Sequence, residues 1–282
     1  MSILFLTYSI LLFVALTLVG VLVFYAINKV THAEWAMSLY PIMKRITTPL
    51  WLVLLVSLGV LYIVHREPYF LLRAVGYMAV WAGYRHTLKK FKSLTPHVLF
   101  LVIFFLTETP MAWDWFLSLT PEWHSTLFAW QLLSSFLLSG IALITLFSKP
   151  EQYHDLGKYL FGFSIFWAYL WFSQYMLIWY ANIPEETIYY QTLLSKGYGE
   201  AIVAMLILSF ALPFLILLSS KAKQKKLLLF GTALFILLGQ YLNFYLIVMP
   251  FVKKFVTTRG LEPLSSEPES DILSIELCGP SY

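Results

Sequence analysis

Apolar residues run along this chain in long unbroken stretches rather than in alternation. Ile3 to Ile27 contains no charged residue, and several later runs are nearly as pure. Crossing ~30 Å of hydrocarbon takes about 20 apolar residues in helical form. The runs predict eight membrane-spanning helices, roughly Ile3–Ile27, Thr48–Val64, Tyr69–Leu88, Pro96–Met111, Thr126–Phe147, Leu156–Ala181, Glu200–Ser219 and Lys226–Met249. Only helices or closed barrels satisfy their backbone in lipid, and barrel strands alternate apolar and polar residues. The expected fold class is therefore an all-α polytopic transmembrane helix bundle of about eight spans. Residues 1–256 form the bundle and 257–282 an acidic flexible tail, LEPLSSEPESDILSIEL, rich in Ser and Pro.

Composition agrees with lipid as the solvent. The 282 residues are 60% hydrophobic and 12% charged, about half the charge of a soluble domain. The 10 Trp, 18 Tyr and 23 Phe suit belts at the two membrane interfaces. The single cysteine, Cys278, allows neither an internal disulfide nor a thiolate-ligated zinc or iron–sulfur site. The first ten residues carry no Lys or Arg, so no secretory signal peptide is expected.

Positive charge then sets the orientation. Thirteen lysines and arginines follow the odd-numbered spans, among them Lys44, Arg45, Lys90 and Lys221, and five follow the even-numbered ones. Basic loops stay on the cytoplasmic side. Both termini are therefore expected in the periplasm of a bacterial inner membrane. The stretch DWFLSLTPEWHST, Asp114 to Thr126, holds two carboxylates and a histidine but no cation, as an outer loop should.

Ionisable groups in or near spans are costly and therefore informative. The inner set is His86, His97, His154, Asp155 and Lys158. Asp155 and Lys158 share a helix face, and Asp155 suits a cap or first turn; a plain cap with an interfacial ion pair competes evenly with a proton-entry role. The outer set is Arg73, Glu108, Asp114, His124, Asn182, Glu185, Glu186 and Glu200. Arg73 either snorkels to headgroups or, as the facing acids favour, forms an internal ion pair. Gln174, Gln240 and Asn243 fall midway; amides there tie helices together or, as the minority reading, relay protons. The six histidines all fall at span ends or in loops, which argues against haem ligation. HExxH, CxxCH, GxxxxGK[ST] and GxSxG motifs are absent. No cofactor is expected on this chain.

The loop Asp114–Thr126 resembles the D-W-x-x-S-L-x-P-x-W-x-S-T loop of the NrfD-like (polysulfide reductase-like) membrane subunits of alternative complex III, a quinol:electron-acceptor oxidoreductase. A longer stretch, HDLGKYLFGFSIFWAYLWFSQYMLIWYANIPEETIYY from His154 to Tyr190, is similar to the ActF-type subunit nearly residue for residue. YFLLRAVGYMAVW at 69–81 and LPFLILLS at 212–219 also match, so the resemblance covers about Ala15 to Pro250. It implies a subunit without its own redox centre, paired in the membrane with a homologous NrfD-like quinol-binding subunit. An iron–sulfur subunit and a multihaem cytochrome c subunit would cover the outer face. It also implies a candidate proton route, drawn through Arg73, Glu108, Asp114, His124, His154, Asp155, Lys158, Gln174, Asn182, Glu200, Gln240 and Asn243, and an outer loop whose Trp and Pro residues form a rigid apolar docking surface. Family members usually have about ten spans, two more than this chain shows. The alternatives are a purely structural anchor for the quinol-binding subunit, and a secondary transporter. Against the transporter, Pro213 is the one proline expected inside a span, and no internal repeat is evident.

Overall fold

The computed structural model describes residues 2–65, 67–88, 93–120, 123 and 125–251. Every regular element among them is helical. In chain order the helices are α1 (Ser2–Val30), α2 (Tyr40–Ile46), α3 (Leu50–His65), α4 (Pro68–Thr87), α5 (Thr95–Trp115), α6 (Phe128–Leu146) and α7 (Tyr153–Ala181). Then follow α8 (Pro184–Ser195), α9 (Gly199–Leu206), α10 (Leu212–Leu217), α11 (Ser220–Gln224) and α12 (Lys226–Val248).

Six segments are long and apolar enough to cross a membrane: Ile3–Val30, Thr95–Leu119, Phe128–Leu146, Pro150–Ala181, Gly199–Leu217 and Lys226–Val248. A seventh crossing results if Glu34–Ile46 and Leu50–His65, which meet at a bend of 47°, form one broken span. The bend falls at Thr47–Pro49, where Pro49 has no N–H to continue the ladder. Helix α4 has 20 residues but carries Arg73, Arg85 and His86, and its apolar content falls below that of the other spans.

Helices α1 and α6 are the most enclosed and form the centre. Around them pack α3, α5, α7 and α12. The α1–α6 seam is a contact between backbones. A Cβ at Gly20 would lie 2.0 Å from the Phe136 carbonyl oxygen, and one at Gly140 would lie 2.8 Å from Gly20 C. Small residues let membrane helices approach this closely, where dispersion and packing replace the hydrophobic drive.

Two helices depart from the sequence expectation. Helix α5 runs on to Trp115, so Asp114 belongs to its last turn rather than to the loop, and Pro110 lies inside it. Pro213 is thus not the single span proline. The seventh expected span is interrupted at Ile207–Ala211 by a π-turn, immediately before Pro213. Proline cannot donate to the Ser209 carbonyl, and a π-turn is one way a helix absorbs that missing bond.

Helix α7 stops at Asn182, which adopts a left-handed conformation (φ 48°), and Pro184 starts α8 two residues on. Asn in that position followed by Pro is a common helix stop. Glu185 and Glu186 in the first turn of α8 favour its positive end.

Candidate functional site

The polar groups fall into three levels along the bundle. At the end where α4 begins and α5 finishes, Arg73 and Tyr77 lie one turn apart on α4. Arg73 Nε donates to Asp114 Oδ2 at 2.7 Å and Nη2 to Oδ1 at 2.8 Å. The Tyr77 hydroxyl donates to Oδ2 at 2.9 Å. A fork this well aligned orients both partners. The Arg73 side chain is 50% exposed and the Asp114 side chain 18%, so solvent and headgroups weaken the pair. Of the two sequence readings of Arg73, the ion pair is the one found.

Glu108 sits on α5 six residues before Asp114. It is 4% exposed, and its Oε1 has no hydrogen-bond partner. It shares a helix face with the buried Phe104, Met111 and Trp115. Asn182 and Glu200 are exposed at helix ends and join no cluster. His124 and Glu122 lie outside the described residues, as does the 257–282 tail.

The Asp114–Thr126 stretch, at the end of α5 and beyond it, turns its tryptophans inward. Trp115 and Trp123 are buried, while Trp113 is exposed. Trp123 stacks on Tyr189 of α8 with ring centroids 4.2 Å apart. The expected apolar docking surface thus loses two of its members to the core, because a rigid indole buries more area against α8 than in water. Burial pushes the Tyr189 and Tyr190 hydroxyls above the ordinary tyrosine range.

Gln174, expected midway, lies toward the C-terminal end of α7. It is the most buried lining residue of a cavity of about 480 Å³ shared with Trp113, Leu117, Ser125, Ile178 and Glu186. Its Oε1 has no partner. Asn182, expected on the same face, instead ends the helix in the open.

The middle level centres on Ser135 of α6. Its Oγ accepts from Trp167 Nε1 at 2.9 Å and from Asn243 Nδ2 at 3.0 Å, and donates to the Gln131 carbonyl at 2.9 Å. One hydroxyl therefore ties α6, α7 and α12 together. Gln240 lies one turn from Asn243 on α12, fully buried, with neither amide atom partnered. Beside it, Gly239 makes room for Ser209 of the π-turn: a Cβ there would meet Ser209 Oγ at 2.3 Å. Ser209 Oγ is also buried without a partner. Gln240 and Ser209 thus each keep an unpaired polar atom in the buried part of the bundle.

At the other end, the first two turns of α7 carry His154, Asp155 and Lys158; Asp155 lies in the first turn but does not cap the helix, whose cap position is Gln152 with no side-chain hydrogen bond. Lys158 Nζ donates to Asp155 Oδ1 at 3.1 Å, as the i, i+3 spacing predicts. His154 Nδ1 is buried without a partner. From Asp155 to Gln174 is about 28 Å at 1.5 Å per residue.

Two histidines that the sequence placed at span ends or in loops are buried. His65 is 1% exposed and stacks on Phe70, centroids 3.9 Å apart, with the Tyr8 hydroxyl 3.3 Å from Nε2. It lies four residues after Leu61 on the buried stripe Leu50, Leu54, Ser57 and Leu61, beside Val64, so the helical spacing of that stripe reaches it. His97 was placed in the inner set as an end residue. It is buried, with Nδ1 2.7 Å from the Tyr84 hydroxyl. Among the described residues no three of His, Cys, Asp and Glu converge as a metal site would require.

Compared with protein-family models and with curated proteins, the chain has no match.

Proposed function

We propose that this chain is a membrane subunit, without its own redox centre, of a quinol:electron-acceptor oxidoreductase of the alternative complex III kind, ActF-type among the NrfD-like subunits. It crosses the bacterial inner membrane eight times, with both termini in the periplasm. The observation that carries the reading is the sequence from His154 to Tyr190 together with the Asp114–Thr126 loop. The geometry supports a proton route through the same chain: titratable groups gather at both ends, and unpartnered Gln240 and Ser209 lie between them. Amides and hydroxyls do not titrate near neutral pH, so a proton crossing that level moves through water held there.

A second reading is favoured by the two ion pairs, Arg73–Asp114 and Asp155–Lys158. Each carboxylate is already neutralised, as in a structural anchor that only holds the quinol-binding subunit.

Detergent extraction tests the assembly. The chain should come out with a homologous NrfD-like subunit, an iron–sulfur subunit and a multihaem cytochrome c. Recovery as a lone homo-oligomer removes both readings.

A further inference from the structure

The break between α2 and α3 opens a cavity that the proton route does not use. It measures about 670 Å³, and its lining includes Ser38, Arg45, Lys149, Leu18, Ile46 and Phe147. Two cations stand at one cavity. Neither has an ion-pair partner: the pairs among the described residues are Arg73–Asp114 and Lys158–Asp155. The acids on flanking turns, Glu34 and Glu151, do not line the cavity. Ser38 Oγ accepts a 2.7 Å hydrogen bond from Gln152 Nε2, which fixes the oxygen and leaves its own proton to donate. Three donors with no facing carboxylate suit a phosphate group. The rest of the lining is apolar and comes from α1, α2, α6 and the residues just past the ends of α2 and α6.

We propose that this cavity binds an anionic phospholipid, with its phosphate held by Arg45, Lys149 and Ser38 and an acyl chain lying against Leu18, Ile46 and Phe147. A basic side chain at a helix end commonly just snorkels to headgroups. Here two of them line one half-open notch together with an oriented hydroxyl, which selects one lipid rather than a surface. Basic pockets between spans are recognised sites for acidic headgroups. Lys44 and Arg85, on neighbouring turns, are turned to other tasks: Arg85 Nη2 donates to the Lys44 carbonyl at 2.7 Å, and Lys44 Nζ to the Leu88 carbonyl at 3.3 Å. The positive-side bias of the sequence places this notch at the cytoplasmic leaflet. The site itself is independent of the respiratory assembly proposed above.

Native mass spectrometry of the detergent-extracted full chain, with whatever subunits accompany it, provides the test. Phosphatidylglycerol should stay bound while phosphatidylcholine of the same chain length leaves. The variant Arg45→Gln/Lys149→Gln should lose retention by roughly thirty-fold, as expected for two basic contacts to an acidic headgroup. Arg45→Lys/Lys149→Arg should keep it. Lys221→Gln/Lys225→Gln, which removes equal charge from another basic turn, should also keep it. Equal retention of the two lipids by the wild type overturns the proposal, and that reading needs no variant to fold. Equal loss from both Gln variants overturns it too, as does displacement of the lipid by excess inorganic phosphate.

Discussion

Arg73 holds both carboxylate oxygens of Asp114 across two helices, at 2.7 and 2.8 Å. This pairing joins the start of α4 to the end of α5. It also gives Arg73 of α4, the least apolar of the long helices, a carboxylate partner on the neighbouring helix.

The pair should nonetheless contribute little to stability. A double-mutant cycle on Arg73→Ala and Asp114→Ala, read by thermal unfolding in detergent, should give a coupling of about 0.5–1 kcal/mol. A coupling several times larger would place the pair in a dry site, contrary to its exposure.

Gly20→Ala should abolish the monodisperse peak in fluorescence-detected size exclusion. The added carbon would sit 2.0 Å from a backbone oxygen, and overpacking of a tight seam costs about 1–3 kcal/mol or more. Gly83→Ala, which meets nothing within 4 Å, should instead leave stability unchanged or raise it by up to about 1 kcal/mol.

Ser135→Ala strands two buried donors, Trp167 Nε1 and Asn243 Nδ2. The expected loss is about 0.6–1.7 kcal/mol, the measured range for such ties between membrane helices. Asn243→Leu combined with Ser135→Ala should cost less than the sum of the two single changes.

Gln240→Leu separates the two functional readings. It removes an amide with no protein partner, so the fold should hold within about 1 kcal/mol. If water at this level carries protons, vesicles with the reconstituted complex should oxidise quinol while moving fewer protons. Asp155→Asn should act alike from the other end, whereas the mere loss of its exposed pair with Lys158 would cost at most about 1 kcal/mol of stability. Unchanged proton stoichiometry in both variants leaves the anchor reading ahead.

Reporter fusions test the topology. Fusions at Glu122 and Gln224 should give opposite signals, the first periplasmic and the second cytoplasmic. Equal signals refute the eight-span arrangement.

The long helices were legible because burial in lipid writes itself as composition. Ile3–Ile27 needed no pattern beyond its length. Helix α8 was missed although its signals were present, Pro184 at the first position and Glu185 and Glu186 behind it, because it is too short and polar to register as a span. The π-turn at Ile207–Ala211 was announced only by Pro213, and a proline in a span does not say whether the helix kinks, breaks or bulges. The Asp155–Lys158 contact followed from spacing alone, since both residues lie on one helix. The Ser135 junction did not: three helices meet at that hydroxyl, and nothing local to any of them names the other two. Glu108 could be placed in a span, but whether it faced lipid or core depended on helix rotation. In α5 apolar residues occur on more than one side of the helix, Phe104 and Met111 on one and Phe105 and Leu106 on another.

Where Gly20 meets Gly140, main chain lies against main chain and no rotamer stands between them. Side-chain interfaces yield by small torsional adjustments; this one has none to give. α1 and α6 therefore act as one rigid beam through the middle of the protein. A force applied at one face by a docked partner would emerge at the opposite face as a change of tilt. Helix α7, tied to α6 at Ser135, is carried with it, and among the described residues the broken α9–α10 segment is the part without such a tie to the beam. The fulcrum of any such motion is a pair of missing methyl groups.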